Sequence, residues 1–204
     1  LWGLPVLRMA GGALYNKFFG ETERNLREAL RLAELMSPCV LWLDEVEKGL
    51  GTGTHDQGVS QRLLGTLLTW MAERKHPVFL VATANDLQRL PPELMRKGRM
   101  DEVFFVDLPD ARVRETILQI HLRKRQQALA DFDVPRLAQL TDGFSGAEIE
   151  QAVVAARYSA AAVEKPLSQT LLEEEIARTQ PLSVLMGEQV EALRQWALGR
   201  TVLA

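Results

Sequence analysis

Three short apolar runs punctuate the first half of the chain: PVLRM at residues 5–9, CVLWLDE at 39–45 and PVFLVATAN at 77–85. Each ends in polar or turn-forming residues, and their length and β-branched content predict strands buried on both faces. Between them the apolar positions recur at helical spacing: Leu26, Ala29, Leu30, Ala33 and Leu35, then Val59, Leu63, Leu64, Leu67, Leu68 and Met71. Strand, helix, strand, helix, strand predicts a parallel sheet, because each return in the same direction needs a crossover. A fourth run, residues 103–106, reads as a further strand stopped by Pro109.

After Asp110 only the helical period remains. Its carriers are Val113, Ile117 and Ile120, then Leu137 and Leu140, then Ile149, Ala152, Val153 and Ala156, then Leu171, Leu172 and Ile176, and last Val190, Leu193, Trp196 and Ala197. Ser145 followed by Glu148 is a capping box that starts the third of these helices. Pro135, Pro166 and Pro181 separate the helices. The expected organisation is an α/β part over residues 1–109 and a helical part over 110–204, with the Gly/Thr-rich stretch 49–58 as a mobile loop.

Composition narrows the function classes. With 47% hydrophobic and 25% charged residues among 204, the chain is a globular protein rather than a disordered tail. Cys39 is the single cysteine, which excludes a disulfide scaffold and points to a reducing compartment. The net charge of −3 gives no overall electrostatic reason to expect a nucleic acid. No apolar run approaches the roughly 20 residues that span a bilayer, so no membrane partner is expected. The chain opens on Leu1, inside what reads as the approach to a strand, and is expected to be a piece of a longer protein.

Four segments could carry chemistry, and each has an ordinary alternative. Asp44 and Glu45 close a hydrophobic strand, where parallel sheets bind ligands, yet the same pair could cap the next helical segment. Asn85, at the end of VATAN, could position a water with its donor and acceptor, or simply occupy a turn. Arg96 and Arg99 flank Gly98 after Pro91-Pro92 and could present forked donors to phosphate, or form a solvated basic turn or an ion pair with Asp101. Phe18 and Phe19 before Gly20 would make an exposed apolar patch unless they bind something, belong to the core or serve as a helix staple.

Taken in order, these segments resemble an AAA ATPase, of the AAA subgroup within the AAA+ class. GGALYNKFFGETERNLREAL is similar to a first pore loop and its helix, CVLWLDE to Walker B, and VATAN to sensor 1. ELMRKGRMDEVFFVDLPD is similar to the arginine-finger segment with the last core strand, and TDGFSGAEIEQAV to the opening of a lid helix. The phrases LWGLPVLRM, SPCVLW and EQVEALRQWA point to the AAA proteins of a conserved hypothetical reading frame in cyanobacteria and plastids. The fold implied is an incomplete P-loop NTPase α/β sheet flanked by helices, followed by an all-α lid.

The resemblance also implies roles. Asp44 would hold Mg2+, Glu45 would activate water, and Asn85 would be sensor 1. Arg96 and Arg99 would reach the ATP site of a neighbouring subunit in a homo-oligomeric ring, a hexamer in the family. Gly146 and Ala147 would lie where the lid meets base and adenosine; Ala147 stands where other AAA+ branches place a sensor-2 arginine. Phe18, Phe19 and Gly20 would line a pore that grips a polypeptide. The setting implied is cytoplasmic, or the plastid stroma for a plastid-encoded protein.

One departure bears on all of these. The phosphate-binding loop GxxxxGK[ST] is missing from the sequence: none of the six lysines follows a glycine. Its preceding strand, which the family places between the sensor 1 strand and the last core strand, is missing too. Truncation is the expected reason, and the chain alone is expected to bind nucleotide poorly and to be inactive. Two other readings stand beside the ring ATPase. One is a non-catalytic AAA-like interaction module, against which Glu45 argues. The other is a nucleic-acid-acting AAA+ accessory protein, which the acidic balance and the Phe18-Phe19 pair disfavour.

Overall fold

A computed structural model describes residues 2–10, 21–50, 57–86, 89–96 and 98–203. The chain forms two compact units, Leu1–Glu102 and Val103–Ala204.

In the first unit the order is β1 (Val6–Ala10), α1 (Glu21–Leu35), β2 (Cys39–Asp44), α2 (Val46–Leu50), α3 (Gln57–Glu73) and β3 (Val78–Ala82). The three expected strands form, all parallel, in the order β1-β2-β3. Side chains alternate between the faces of a strand, so Cys39, Leu41 and Leu43 all point one way. On that face they meet Leu26, Leu30 and Ala33 of α1 and Leu63, Leu67 and Met71 of α3 in one core. The other face carries Val6 and Phe79, which are 58% and 52% exposed, so among the described residues the helices cover one side only. Cys39 is buried and its thiol donates to Ala33 O at 3.2 Å. Burial pushes that thiol up from its ordinary value, which suits a packing role. The Gly/Thr-rich stretch is helical at both ends: Gly49 and Leu50 finish α2, Gln57 and Gly58 begin α3, and residues 51–56 lie outside the described residues.

The second unit holds β4 (Phe104–Phe105), α4 (Ala111–Lys124), a 3-10 turn (Leu129–Asp131), α5 (Val134–Leu140), α6 (Gly146–Ala162), α7 (Gln169–Arg178), α8 (Leu182–Leu185), α9 (Gly187–Ala197) and β5 (Val202–Leu203). Helix starts are set by side-chain caps: Asp110 accepts from Val113 N, Asp133 from Arg136 N, and Ser168 from Leu171 N. The Ser145–Glu148 capping box forms as expected. Leu118, Leu122, Leu137, Ile149, Val153 and Leu172 are fully buried in one core. Each large aliphatic side chain so buried stabilises the unit by about 1.5–3 kcal/mol.

The short run at residues 103–106 forms the expected strand, and its ladder partner comes from a distant part of the sequence. Phe104 pairs in parallel with Val202 and Phe105 with Leu203, and Val202 N donates to Val103 O at 2.9 Å. The hydrogen-bonding partner of β4 is thus the C-terminal segment rather than the three-stranded sheet. Arg194 of α9 reinforces this by donating through Nε to both Asp107 oxygens at 3.0 and 2.9 Å. The compact units accordingly divide after Glu102, ahead of the boundary expected near Pro109. No helix among the described residues is long and apolar enough to cross a membrane.

Candidate functional site

The ladder between β2 and β3 ends with Leu43 opposite Ala82, both turned toward the helix-packed core. One residue further on the pleat reverses, so Asp44 and Thr83 meet on the opposite face. The Thr83 hydroxyl donates to Asp44 Oδ1 at 2.7 Å and accepts from the Glu45 backbone N–H at 3.0 Å. Arg8 projects from β1 on that same face, lies 4.9 Å from the Trp42 ring centroid, and donates to Asp44 Oδ2. The Thr83 hydrogen bond, followed by that of Arg8, holds the Asp44 carboxyl below its ordinary value.

Glu45 takes up a left-handed backbone with φ 53°. Its Oε1 accepts from Asn85 Nδ2 at 3.3 Å and its Oε2 accepts from Lys48 Nζ at 2.7 Å. The Glu45 carboxylate raises the Lys48 ammonium above its ordinary value. Glu47, on α2, is only 4% exposed. Its Oε1 accepts the Asn85 backbone N–H at 3.3 Å, while its Oε2 has no hydrogen-bond partner among the described residues. The acid pair and the amide expected from sequence therefore come together at adjacent strand tips.

The donor set matches a particular kind of ligand. Among the described residues no group of three or more His, Cys, Asp or Glu could cage a metal by itself. Mg2+ with a nucleotide asks for less, one or two carboxylates with the rest supplied by water and phosphate, and the Asp44 carboxylate fits that demand. A carboxylate beside it that is oriented by an amide can take a proton from water.

The arginines stand apart from this cluster. No hydrogen bond or ion pair joins Arg96 or Arg99 to Asp44, Glu45 or Asn85 among the described residues. Arg99 N donates to Arg96 O at 3.2 Å across a turn in which Gly98 adopts φ 89°, a conformation that glycine takes without a Cβ clash. Arg99 Nη1 is engaged with Glu93 O at 2.6 Å, and Arg96 is exposed. Gly146 and Ala147 form the first turn of α6 in the second unit, where Ala147 is exposed. Phe18, Phe19 and Gly20 lie outside the described residues.

Four neighbours of the acids escaped the sequence reading. Thr83 was visible as part of VATAN, and only the register that sets it opposite Asp44 reveals its contacts. Arg8 needed the pairing of β1 with β2, which places it two residues before the rung of Asp44. Lys48 carried a local signal, its i+3 spacing from Glu45. Glu47 carried none, because a third acid so soon after Asp44 and Glu45 reads as solvent-exposed, whereas it is buried here.

Comparison with known proteins gives two family matches. Residues 1–108 match the ATPase family associated with various cellular activities (AAA), and residues 131–164 match the AAA+ lid domain. An uncharacterized AAA domain-containing protein ycf46 of Pyropia yezoensis is 44% identical over 200 residues, covering 96% of this chain and 40% of that protein. Its counterpart in Guillardia theta is 40% identical over 200 residues, covering 96% and 39%. The proteasome-activating nucleotidase of Aeropyrum pernix is 39% identical over 163 residues, covering 76% and 39%. The chain thus spans about two fifths of the length of these curated relatives.

Proposed function

Because the chain belongs to the AAA ATPase family and carries its lid, we propose that the whole protein hydrolyses ATP with Mg2+ at the tips of β2 and β3. One observation carries this reading: Asn85 Nδ2 meets Glu45 Oε1 at 3.3 Å, beside Asp44 on the same strand end. In this reading Asp44 holds the metal. The bound Mg2+–nucleotide supplies a phosphoryl group whose charge the ion partly neutralises. Glu45 accepts the proton of the attacking water, and Asn85 keeps that carboxylate and the water aligned. Arg96 and Arg99 act on the site of a neighbouring subunit in a homo-oligomeric ring, where an arginine finger raises the rate by about 10³- to 10⁵-fold.

We further propose a protein as the partner that the ring remodels, gripped by Phe18, Phe19 and Gly20. The resemblance to a proteasome-activating nucleotidase supports a protein over a nucleic acid, as does the net charge of −3. The lone cysteine suits the reducing cytoplasm, or the plastid stroma for a plastid-encoded protein. With no GxxxxGK[ST] in its 204 residues, the chain by itself binds nucleotide poorly.

The test is Glu45→Gln in the full-length protein. ATP binding should persist while turnover falls by about 10²–10⁴; a wild-type rate would overturn the assignment. Mixing Glu45→Gln with Arg99→Ala subunits should restore part of the activity in mixed rings. If mixed rings form and none recovers, the shared site is refuted.

A further inference from the structure

Four hydrogen bonds tie Thr83 to the end of β2 and the turn into α2. Its backbone N–H donates to Leu43 O at 2.9 Å, and its carbonyl accepts from Val46 N at 3.0 Å. Its hydroxyl donates to Asp44 Oδ1 at 2.7 Å and accepts from the Glu45 N–H at 3.0 Å. The two backbone bonds would form with any residue but proline at this position. The two hydroxyl bonds require Ser or Thr.

The hydroxyl uses its one proton and one lone pair on two different carboxylate residues at once. For Asp44 it fixes which oxygen is engaged from the β3 side, leaving Oδ2 on the side of Arg8. For Glu45 it acts on the backbone. A non-glycine residue at φ 53° persists only where its surroundings hold it. Here the bond at the Glu45 N–H and the one at the Val46 N–H close on the same residue, Thr83, just past the end of β3. That turn sends the Glu45 side chain to Asn85, two residues beyond Thr83. The β-branched Thr side chain has few χ1 choices, so its hydroxyl is a stiff post rather than a swinging one.

We propose that Thr83 is the positioning residue of this site, setting Asp44 through its oxygen and Glu45 through its backbone N–H so that both carboxylates face one reacting centre. This rests on the ATPase reading above. Thr83 touches neither nucleotide nor water in the proposal; it acts through the two acids.

The experiment compares Thr83→Val, which keeps the shape and loses the hydroxyl, with Thr83→Ser, which keeps the hydroxyl, in the full-length protein beside Glu45→Gln. Thr83→Val should lower kcat at saturating Mg2+–ATP by about 10- to 100-fold, the scale of a misplaced reacting group, with KM changed less than about threefold. Thr83→Ser should recover to within a few-fold of wild type. Amide hydrogen exchange of nucleotide-free protein gives a readout independent of turnover. In Thr83→Val the Glu45 N–H should lose protection while the Val46 N–H, held by the Thr83 carbonyl, keeps it; Thr83→Ser should restore both. A dead Glu45→Gln together with a Thr83→Val of wild-type kcat overturns this proposal alone. Equal impairment of Val and Ser variants, or unchanged Glu45 exchange, also overturns it. A fully active Glu45→Gln overturns the ATPase reading instead, whatever Thr83 does to amide exchange.

Discussion

Arg8 donates to Asp44 Oδ2 while its guanidinium lies 4.9 Å from the centre of the Trp42 ring. A cation of the protein thus sits at the carboxylate proposed to hold Mg2+, with its guanidinium over the Trp42 ring. Arg8→Met keeps the stem and removes the charge. The Mg2+ concentration that half-saturates ATP hydrolysis by the full-length protein should fall by about 3- to 10-fold, a modest figure suited to an exposed pair. Arg8→Lys should fall between the two. A Mg2+ titration that superimposes on wild type would mean that the pair does not compete with the ion.

Glu148 extends its capping box into a second contact. Its Oε2 accepts from Ser145 N at 2.8 Å and Ser145 Oγ at 2.7 Å, and its Oε1 accepts from Leu182 N at 2.6 Å. Burial pushes this carboxyl up, but the bonds from Ser145 and Leu182 outweigh it and hold the group below its ordinary value. A carboxyl lowered on folding stabilises above its unfolded value of about 4.3 and loses that contribution as pH falls through the folded value. Glu148→Gln should therefore cost about 1 kcal/mol at neutral pH, the scale of a lost cap. The gap between variant and wild type in urea unfolding should close below about pH 4. A gap that is constant across pH would assign the loss to shape rather than charge.

Short apolar runs made the three parallel strands legible and the helical period made the main helices so, but burial of the strands on both faces was expected and one face leaves Val6 and Phe79 exposed. The acids and the amide were legible as well, since polar residues that close an apolar strand must emerge at its tip. What lay hidden was whatever depends on pairing between distant segments. Thr83 meets Asp44 only through the register of β2 with β3. Phe104 reads as core strand in sequence, yet its partner Val202 comes from the far end of the chain. Short strands carry too little pattern to name their neighbours. Ser145 and Glu148 were readable as a local cap, whereas the tie from Glu148 to Leu182 spans 34 residues.

Arg114 was also hidden, an arginine on a helix that sequence would leave in solvent. It is 6% exposed and donates from Nε to Ala138 O at 2.9 Å and from Nη1 to Pro109 O at 2.8 Å, with Nη2 3.0 Å from Asp142 Oδ1. It thereby joins α4 to the end of α5. Arg114→Met would strip three partners at once and should destabilise the second unit by roughly 2–4 kcal/mol. Arg114→Lys should rescue little, because one ammonium cannot reproduce a planar fork. Equilibrium urea unfolding of both variants checks the order; a Lys variant as stable as wild type would show that charge alone suffices.

Gly143 links α5 to α6 with φ 75°, and a Cβ built there would lie 2.6 Å from Ser183 Oγ. Gly143→Ala should therefore incur two separable costs. The left-handed backbone costs a residue with a Cβ about 1–2 kcal/mol. The contact adds a second cost unless Ser183 moves, and Ser183 follows directly on Leu182, whose N–H is bound to Glu148. Thermal unfolding of Gly143→Ala, Ser183→Gly and the double variant separates the two in a mutant cycle. The second substitution removes the blocking oxygen, so the double variant should regain the contact cost and keep the backbone cost. Full recovery would mean that the backbone bears alanine without strain, and no recovery would mean that Ser183 already yields in the single variant.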